Sequence, residues 1–150
     1  MDMFDTIGAS ETGAWLHLIN PQTNQKAFIV GDDGKEDRDR PIRIQLYGPD
    51  SPTFRDRMKR RAAEAVRDRG SRREITKMTD SELMALFEEQ EESAWDDAAD
   101  ATMGWENLIS NGEPVEFSRA ASRDLYKRYP NILRQVQAFR EGEANFFAKG

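Results

Sequence analysis

Residue types that could carry out chemistry are scarce in this chain. Among its 150 residues there is one histidine, His17, and no cysteine. Acid–base or nucleophilic catalysis needs a side chain whose pKa is tuned by close partners, and a zinc site needs several His or Cys ligands. A single His beside Trp15 on a presumed strand is typical of a packing or surface residue. We therefore predict no catalytic residue, and we expect the protein not to be an enzyme.

An acidic run could suggest calcium binding. It reads Asp32-Asp33-Gly34-Lys35-Glu36-Asp37. An EF-hand loop needs ligands at alternate positions and a distal bidentate Glu, and this run has neither. The chain also has no glycine loop of the kind that cradles phosphates and no nucleophile elbow. We therefore predict no metal site and no cofactor-binding site.

The net charge of −6 hides three blocks of like charge. Residues 55–73 contain nine basic and three acidic residues, residues 80–100 contain nine acidic and no basic residues, and residues 119–140 contain six basic residues and one acidic residue. Such blocks are usually solvated helix faces. They could also attract each other between copies of the chain and steer self-assembly into a homo-oligomer. This second interpretation selects six self-association residues: Arg57, Arg60, Arg61, Glu88, Glu89 and Glu92.

The first basic block leaves open an alternative function, that of a basic-helix nucleic-acid-binding accessory protein. Its Arg and Lys side chains could neutralise phosphates. Against this, the sequence pI is about 4.9 and the following block is acidic. The helix positions are nearly all Arg, Lys and Ala, whereas a groove reader needs polar residues that read bases. A nucleic acid is therefore an alternative partner rather than the expected one.

Apolar spacing predicts an α+β fold with a small antiparallel three-stranded sheet covered by a helix, followed by a helical C-terminal half. Strands are predicted at 15–19 and 27–30, joined as a hairpin, and at 42–47, where Ile42, Ile44 and Leu46 share one face. Residues 31–40 are predicted to be a charged loop. The three strands would form one sheet with a single buried face.

The first helix is predicted to begin at Ser51-Pro52, an N-cap followed by Pro at the first helical position. Gly70 stands where a helix C-terminus commonly has a left-handed residue. Between them lies an apolar stripe at helical spacing that could cover the sheet. It consists of Phe54, Met58, Ala62, Ala65 and Val66.

The second half is predicted to be helical. Residues 79–82, Thr-Asp-Ser-Glu, have the form of a capping box, and the helix they begin carries apolar residues on one side. Trp105 is predicted to lie in a short apolar turn that ends at Asn111-Gly112. Ser118 is the predicted N-cap of a further helix, and Pro130 is predicted to end that helix or begin another.

The predicted organisation is a flexible tail over 1–13, a small sheet-plus-helix domain over 14–75 and a helical C-terminal region over 76–150. The longest apolar runs are about five residues, well below the roughly 20 that a membrane helix needs. The N-terminus has no basic region followed by an apolar one. We expect a cytoplasmic protein without membrane contact.

Widely spaced positions in the C-terminal third form a family pattern. These positions are Trp105, 111–118, Leu125, Tyr129-Pro130, Ile132, Gln135-Val136, Phe139 and Asn145-Phe146. With them, the chain from Trp95 to Phe147 resembles the C-terminal part of tail assembly chaperones of long-tailed, siphovirus-like bacteriophages. In that family, a Trp-containing turn precedes an extended stretch, a helix, a second helix that begins with Pro, and a final Asn-Phe. Residues 15–21 and 48–55 resemble the family's opening strand and its junction into the first helix, although Pro49 and Pro52 depart from that pattern.

The resemblance implies a non-enzymatic protein that binds the tape measure protein, recruits tail tube subunits around it and leaves before the tail is complete. It would act in the host cell cytoplasm and be missing from the mature virion. Many members are also made in a longer, frameshifted form, and an end soon after Asn145-Phe146 would suit the short form. A structural head–tail or tail component that stays in the particle is a further alternative.

A wrapper of a helical polymer needs apolar contact residues. The resemblance and the apolar spacing together select Leu125, Phe139, Phe146 and Phe147 as the protein-binding residues. The alternative is that these side chains are core, because a small helical domain needs nearly all of its large apolar residues.

Overall fold

The computed structural model describes residues 12–69 and 77–142. Four helices lie in these ranges: α1 (Pro52–Arg69), α2 (Asp80–Ala101), α3 (Arg119–Arg128) and α4 (Pro130–Glu141). The strands in these ranges are β1 (Ala14–His17), β2 (Ile19–Asn20), β3 (Gln25–Lys26), β4 (Phe28–Val30), β5 (Glu36–Pro41), β6 (Arg43–Leu46), β7 (Thr102–Glu106), β8 (Ile109–Ser110) and β9 (Glu113–Pro114). No helix in the described ranges is long and apolar enough to cross a membrane.

The α+β fold with a three-stranded antiparallel sheet is confirmed. The strand order is β1-β6-β7, and Ile44 at the centre of β6 lies opposite Leu16 on one side and Trp105 on the other. The buried face follows the predicted alternation, since Ile44 and Leu46 are completely buried while their neighbours on β6 are half-buried.

The identity of the third strand differs from the prediction. Residues 28–30 were expected in this sheet but pair with β5, in the stretch predicted to be a charged loop. The third strand is β7, which contains the Trp105 that was expected in a turn. Both errors have a physical cause: β5 is almost entirely polar, and β7 carries Gly104 at its centre, so neither shows the apolar alternation that marks a half-buried strand.

The strands change partners at three residues whose backbones bond in a ring. The Leu18 N–H donates to the Ile42 carbonyl (3.0 Å), the Ile42 N–H to the Ala27 carbonyl (3.1 Å), and the Ala27 N–H to the Leu18 carbonyl (2.8 Å). The backbone N–H and C=O groups of these three residues are therefore all hydrogen-bonded where the sheets diverge. His17 Nε2 also donates to the Ala27 carbonyl (2.7 Å), and its ring packs edge-on against Phe28. The single histidine therefore has a packing role in this junction.

The helix starts form as their sequences predict. Ser51 Oγ accepts the Phe54 N–H (3.2 Å), Thr79 Oγ1 accepts the Glu82 N–H (3.2 Å), and Ser118 Oγ accepts the Ala121 N–H (2.9 Å). Each cap satisfies a helical N–H that has no partner inside its helix. Pro130 begins α4. The predicted C-terminal Gly70 lies outside the described residues.

The predicted turn at Asn111-Gly112 joins β8 to β9. Both residues have positive φ, 52° and 79°. This is the conformation that a two-residue hairpin requires and that Asn-Gly adopts at little cost.

The sheet is covered by α2, α3 and α4 rather than by α1. Ile44 and Leu46 form the core with Ala98, Tyr126 and Val136, one from each of these helices. In the predicted α1 stripe, Phe54 is buried, whereas Val66 is 74% exposed. The covering helices bring larger apolar side chains to the sheet than the alanines of the α1 stripe, and therefore remove more apolar surface from water.

Tyr126 lies at the centre of this core with its hydroxyl buried. The Thr102 hydroxyl donates to the Ala98 carbonyl (2.7 Å), so the Tyr126 hydroxyl, 2.6 Å away, donates to Thr102 Oγ1. Burial raises the pKa of Tyr126 to about 12. The folded protein therefore holds this proton more strongly than an unfolded chain, in which the tyrosine pKa is about 10.

The first prediction concerns alkaline stability. The pKa of Tyr126 is higher in the folded protein than in the unfolded chain. The contribution of this group to the free energy of unfolding is therefore fully present below about pH 10 and is lost as the pH rises toward about 12. The free energy of unfolding, measured with urea across that window, should fall by up to ~1.4 kcal/mol per pH unit through this group. Tyr126→Phe should remove that part of the slope, while Tyr129→Phe, on a half-exposed tyrosine, should leave it. Equal slopes in all three proteins would contradict this assignment.

Candidate protein-interaction site

The site is built around Asp100, a buried carboxylate in the last turn of α2. Asp100 is 3% exposed. Asp100 Oδ2 accepts from Arg61 Nε of α1 (2.8 Å), and Oδ1 accepts from Arg119 Nε of α3 (2.8 Å). Arg57 donates to the Asp100 backbone carbonyl (2.9 Å). One residue therefore connects three helices.

Neighbouring carboxylates extend this network. Arg61 also binds Asp97, and Asp96 accepts from Arg123 (2.9 Å) and Arg119 (3.3 Å). The C-terminal end of the acidic block is thus neutralised by both basic blocks within one chain. A buried charge is tolerated only when it is paired and hydrogen-bonded, so these contacts fix where α1 and α3 lie along α2.

The arginine pKa values reflect this pairing. Desolvation lowers the pKa of Arg61, but the carboxylates of Asp97 and Asp100 outweigh it and the net shift is upward. For Arg119, the hydrogen bond that its guanidinium donates to Asp100 is the largest effect and raises the pKa, against a smaller effect of desolvation. Both guanidiniums stay charged, and the network does not titrate through them.

The predicted self-association residues have different environments. Arg57 and Arg61 bind Asp100 as described, whereas Arg60 is exposed, with 79% of its side chain in solvent, and pairs with Asp56 one turn away. Glu88, Glu89 and Glu92 are exposed on α2. Contacts of these residues with another copy stay a prediction.

Of the predicted protein-binding residues, Leu125 and Phe139 are partly buried and pack against the core. Phe146 and Phe147 lie outside the described residues. The positions that carry the family resemblance are engaged in the fold. Trp105 Nε1 donates to the Val115 carbonyl (2.8 Å), and the Gln135 amide bonds both the N–H (2.7 Å) and the carbonyl (2.9 Å) of the Ile19 backbone.

An exposed apolar cluster lies at the other end of α2. We call residues 80–93 of α2 the arm; its side chains are mostly exposed, and the buried residues of α2 are Ala98–Ala101. Met84 and Phe87 on the arm are 66% and 65% exposed, with Leu83 beside them at 37%. Their spacing of three and four residues places them on one face. A cluster of exposed apolar side chains on one element marks an interaction surface.

The sequence indicated this apolar face but not its exposure. The sequence predicted apolar residues on one side of this helix, and the same spacing would describe a face buried against the sheet. The available signal was composition: the face is followed directly by Glu88, Glu89, Glu91 and Glu92. Four carboxylates within one and a half turns leave little room for a neighbouring apolar element.

A groove of about 860 Å³ lies between α1 and α2. The α1 wall combines the apolar or small residues Met58, Ala62 and Ala65 with the charged Arg61 and Glu64. The α2 wall is acidic, with Glu89, Glu92 and Asp96. The helical period places Met84 and Phe87 on the face of α2 opposite this groove. The arm therefore offers a partner an apolar face on one side and an acidic groove on the other, a geometry suited to binding a helix.

Within residues 12–69 and 77–142, no cluster of three or more His, Cys, Asp or Glu side chains is arranged to hold a metal ion. No protein-family model matches the chain, and neither a search of curated proteins nor a search of solved structures finds a match.

The second prediction tests the role of Asp100. Asp100→Asn keeps the shape of the side chain but leaves Arg61 and Arg119 facing a neutral amide. Breaking a buried pair in this way costs about 3 kcal/mol, toward the lower end of the usual range because Arg119 is half-exposed. Urea denaturation should show that loss, whereas Glu91→Gln on the arm should change the free energy of unfolding by less than ~0.5 kcal/mol. A loss below ~1 kcal/mol for Asp100→Asn would show that the network does not hold the helices.

Proposed function

We propose that the protein is a tail assembly chaperone of a long-tailed bacteriophage, which binds the tape measure protein and helps to recruit tail tube subunits. It acts through protein contacts, in the host cell cytoplasm, and leaves before the virion is mature. The observation that carries the proposal is the exposed cluster Leu83, Met84 and Phe87 on an arm separated from the core. The family resemblance of residues 95–147 supports the same function.

The chemistry of the arm suits a long helical partner. Such a polymer presents apolar side chains along its length and aggregates unless they are covered. Covering Met84 and Phe87 would contribute roughly 1.5–3 kcal/mol each. That makes a single contact weak and therefore reversible, but repetition along one polymer raises the total affinity steeply. A chaperone that must later leave requires this combination.

The surrounding carboxylates shape the choice of partner. Glu88, Glu91 and Glu92 are exposed around the apolar cluster and make no ion pair with another residue in the described ranges. Their mutual repulsion and hydration disfavour stacking of one arm on another arm through this face. A partner helix with basic residues beside its apolar stripe would be attracted instead.

The nucleic-acid alternative has less support. Arg57 and Arg61, two arginines of the first basic block, bind Asp100 within the chain, so the block presents fewer free cations than the sequence suggests. A structural component of the particle would share the same protein contacts, and finding the chain in purified virions would favour it over a chaperone.

The third prediction tests the arm. Met84→Ser with Phe87→Ser should abolish the soluble complex formed when the protein is co-expressed with the tape measure protein encoded beside it, because the apolar contact is lost. The amount of soluble tape measure protein is the measurement, with an expected drop of about tenfold or more. Val30→Ser, on an equally exposed residue of β4, is the matched control.

Two outcomes would contradict the proposal. One is an unchanged yield of soluble tape measure protein with the doubly substituted arm. The other is genomic: a gene that does not lie between those of a tail tube protein and a tape measure protein would argue against the family.

Self-association is also part of the proposal, with charge attraction as its cause. Because Arg57 and Arg61 are engaged internally, the basic contribution falls on Arg60, and the acidic one on Glu88, Glu89 and Glu92. Attraction between exposed charges is screened beyond about 8 Å at physiological salt, so the homo-oligomer should weaken as salt rises.

The fourth prediction follows from this. Arg60→Glu should lower the sedimentation coefficient at low ionic strength, and adding Glu88→Arg in the same chain should restore it, because the attraction is then reversed in sign but kept. Arg134→Glu, on an exposed position of α4, should have no effect. Identical sedimentation of all four proteins would exclude the charge mechanism.

A further inference from the structure

A pocket of about 280 Å³ lies where the end of α2 meets α1, the start of β7 and the approach to α3. None of its lining residues belongs to the arm or lines the groove between α1 and α2. At roughly 30 Å³ for each water molecule, its volume equals that of about nine waters, so it is large enough for a compact organic group. Two arginines, two rings, a thioether and a carboxylate decide what it can bind: Arg57, Arg119, Tyr47, Phe117, Met103 and Asp100.

Arg57 brings an unneutralised charge to this pocket. Its guanidinium donates a hydrogen bond to the Asp100 backbone carbonyl (2.9 Å) and lies 5.4 Å from the centre of the Tyr47 ring. The bond satisfies a carbonyl at the end of α2, but a carbonyl does not cancel the charge of a guanidinium. Within the described ranges Arg57 takes part in no ion pair, since the Asp100 carboxylate pairs with Arg61 and Arg119. A guanidinium has five N–H donors, so several of those of Arg57 are unused.

The charges of the network around Asp100 do not balance. Its hydrogen bonds join four arginines and three aspartates: Arg57, Arg61, Arg119, Arg123, Asp96, Asp97 and Asp100. Each aspartate accepts from at least one arginine, and both carboxylate oxygens of Asp100 are used. The one carboxylate that lines the pocket is therefore already compensated. The positive charge in excess is that of Arg57.

Arg119 lines the same pocket from the start of α3. Its Nε donates to Asp100 (2.8 Å) and its Nη2 to Asp96 (3.3 Å), and 48% of its side chain is exposed. These two contacts leave further N–H donors of the guanidinium open to solvent. Two guanidiniums at one pocket can hold a single anion through charge-assisted hydrogen bonds. The pocket is therefore suited to an anion that supplies the one negative charge missing from the network.

The apolar part of the lining favours a carboxylate over a phosphate. Met103 and Phe117 line the pocket, and Phe117 is 36% exposed. A free phosphate carries oxygens on every side and would leave some of them against this apolar surface without a donor, which is costly. It would also bring more negative charge than the network lacks. A carboxylate on an apolar body has both oxygens at one end and a single charge, so it meets both conditions.

We propose that this pocket binds one carboxylate group carried on a compact apolar or aromatic body. The carboxylate lies between Arg57 and Arg119, and the body lies against Phe117 and Met103. A small organic acid and an acidic side chain of a partner protein share this chemistry. The inference rests on the pocket and its two arginines, and it holds whether or not the protein is a chaperone.

An NMR titration of the intact protein with benzoate tests the proposal. At constant ionic strength, benzoate should shift the Nε–H resonances of Arg57 and Arg119 in a saturable way. Benzyl alcohol has a similar shape without the charge, and inorganic phosphate has the charge without the apolar body. Each should bind at least about tenfold more weakly than benzoate. Binding of either control as tight as that of benzoate would overturn the proposal, and this comparison needs no variant.

Substitutions locate the binding. Arg57→Gln should weaken benzoate binding about tenfold, because it removes the excess charge while keeping an N–H donor for the Asp100 carbonyl. Arg55→Gln, on an exposed arginine of α1 that does not line the pocket, is the matched control and should bind benzoate like the unchanged protein. Phe117→Ser should weaken binding about threefold and tests the apolar wall with both arginines in place. Unchanged affinity in Arg57→Gln, or an equal loss in Arg55→Gln, would contradict the assignment.

A second probe distinguishes the two sources of the carboxylate. N-acetylglutamate N-methylamide presents a glutamate side chain between two peptide groups. If it binds more tightly than benzoate, the site takes an acidic side chain of a partner protein; if benzoate binds more tightly, the site takes a small organic acid. The absence of a saturable shift with both probes would exclude a carboxylate site.

Discussion

The buried carboxylate of Asp100 is the constraint on which the rest of this structure depends. It is nearly inaccessible to water, and both of its oxygens are satisfied by arginines from other helices. Removing a carboxylate from water is costly, so the fold must bring Arg61 and Arg119 to it. This requirement fixes α1 and α3 against the end of α2. It also fixes the start of β7, which follows Asp100 by two residues and completes the sheet.

The same constraint explains how the charge blocks are used. At the C-terminal end of α2, Asp96, Asp97 and Asp100 neutralise arginines of both basic blocks, and the helix is buried there. At the other end, Glu88, Glu91 and Glu92 are exposed beside apolar residues that are also exposed. One acidic helix thus serves two purposes. Its inner end assembles the fold, and its outer end presents the surface to which we assign partner binding.

Local features of the fold could be predicted from the sequence because local chemistry determines them. Ser51, Thr79 and Ser118 cap helices through their own hydroxyls, and Asn111-Gly112 turns the chain through its own backbone preference. Ile44 and Leu46 were recognised as buried from their alternation. The pairing of β6 with β7 could not be predicted, because it joins residues about 60 positions apart and depends on how the helices between them pack.

The candidate site likewise has features that could be predicted from the sequence and features that could not. The apolar spacing of the arm was visible, but whether a helix face is buried or exposed depends on what packs against it. The charge blocks were visible too, yet an attraction between copies and an attraction within one chain leave the same pattern in the sequence. The distances from Asp100 to Arg61 and Arg119 show the attraction within one chain, and the attraction between copies stays a prediction. Leu125 and Phe139 were chosen as contact residues by size and spacing, which are also the marks of core residues, and the structure packs both against the core.

We propose that the arm binds the partner while the Asp100 network holds the scaffold. Amide hydrogen exchange, measured on the protein alone and with the tape measure protein that we propose as its partner, tests this division of roles because exchange reports protection segment by segment. We expect slower exchange over residues 80–93 in the complex and unchanged exchange over residues 119–141. Protection confined to residues 119–141, with the arm unchanged, would contradict it.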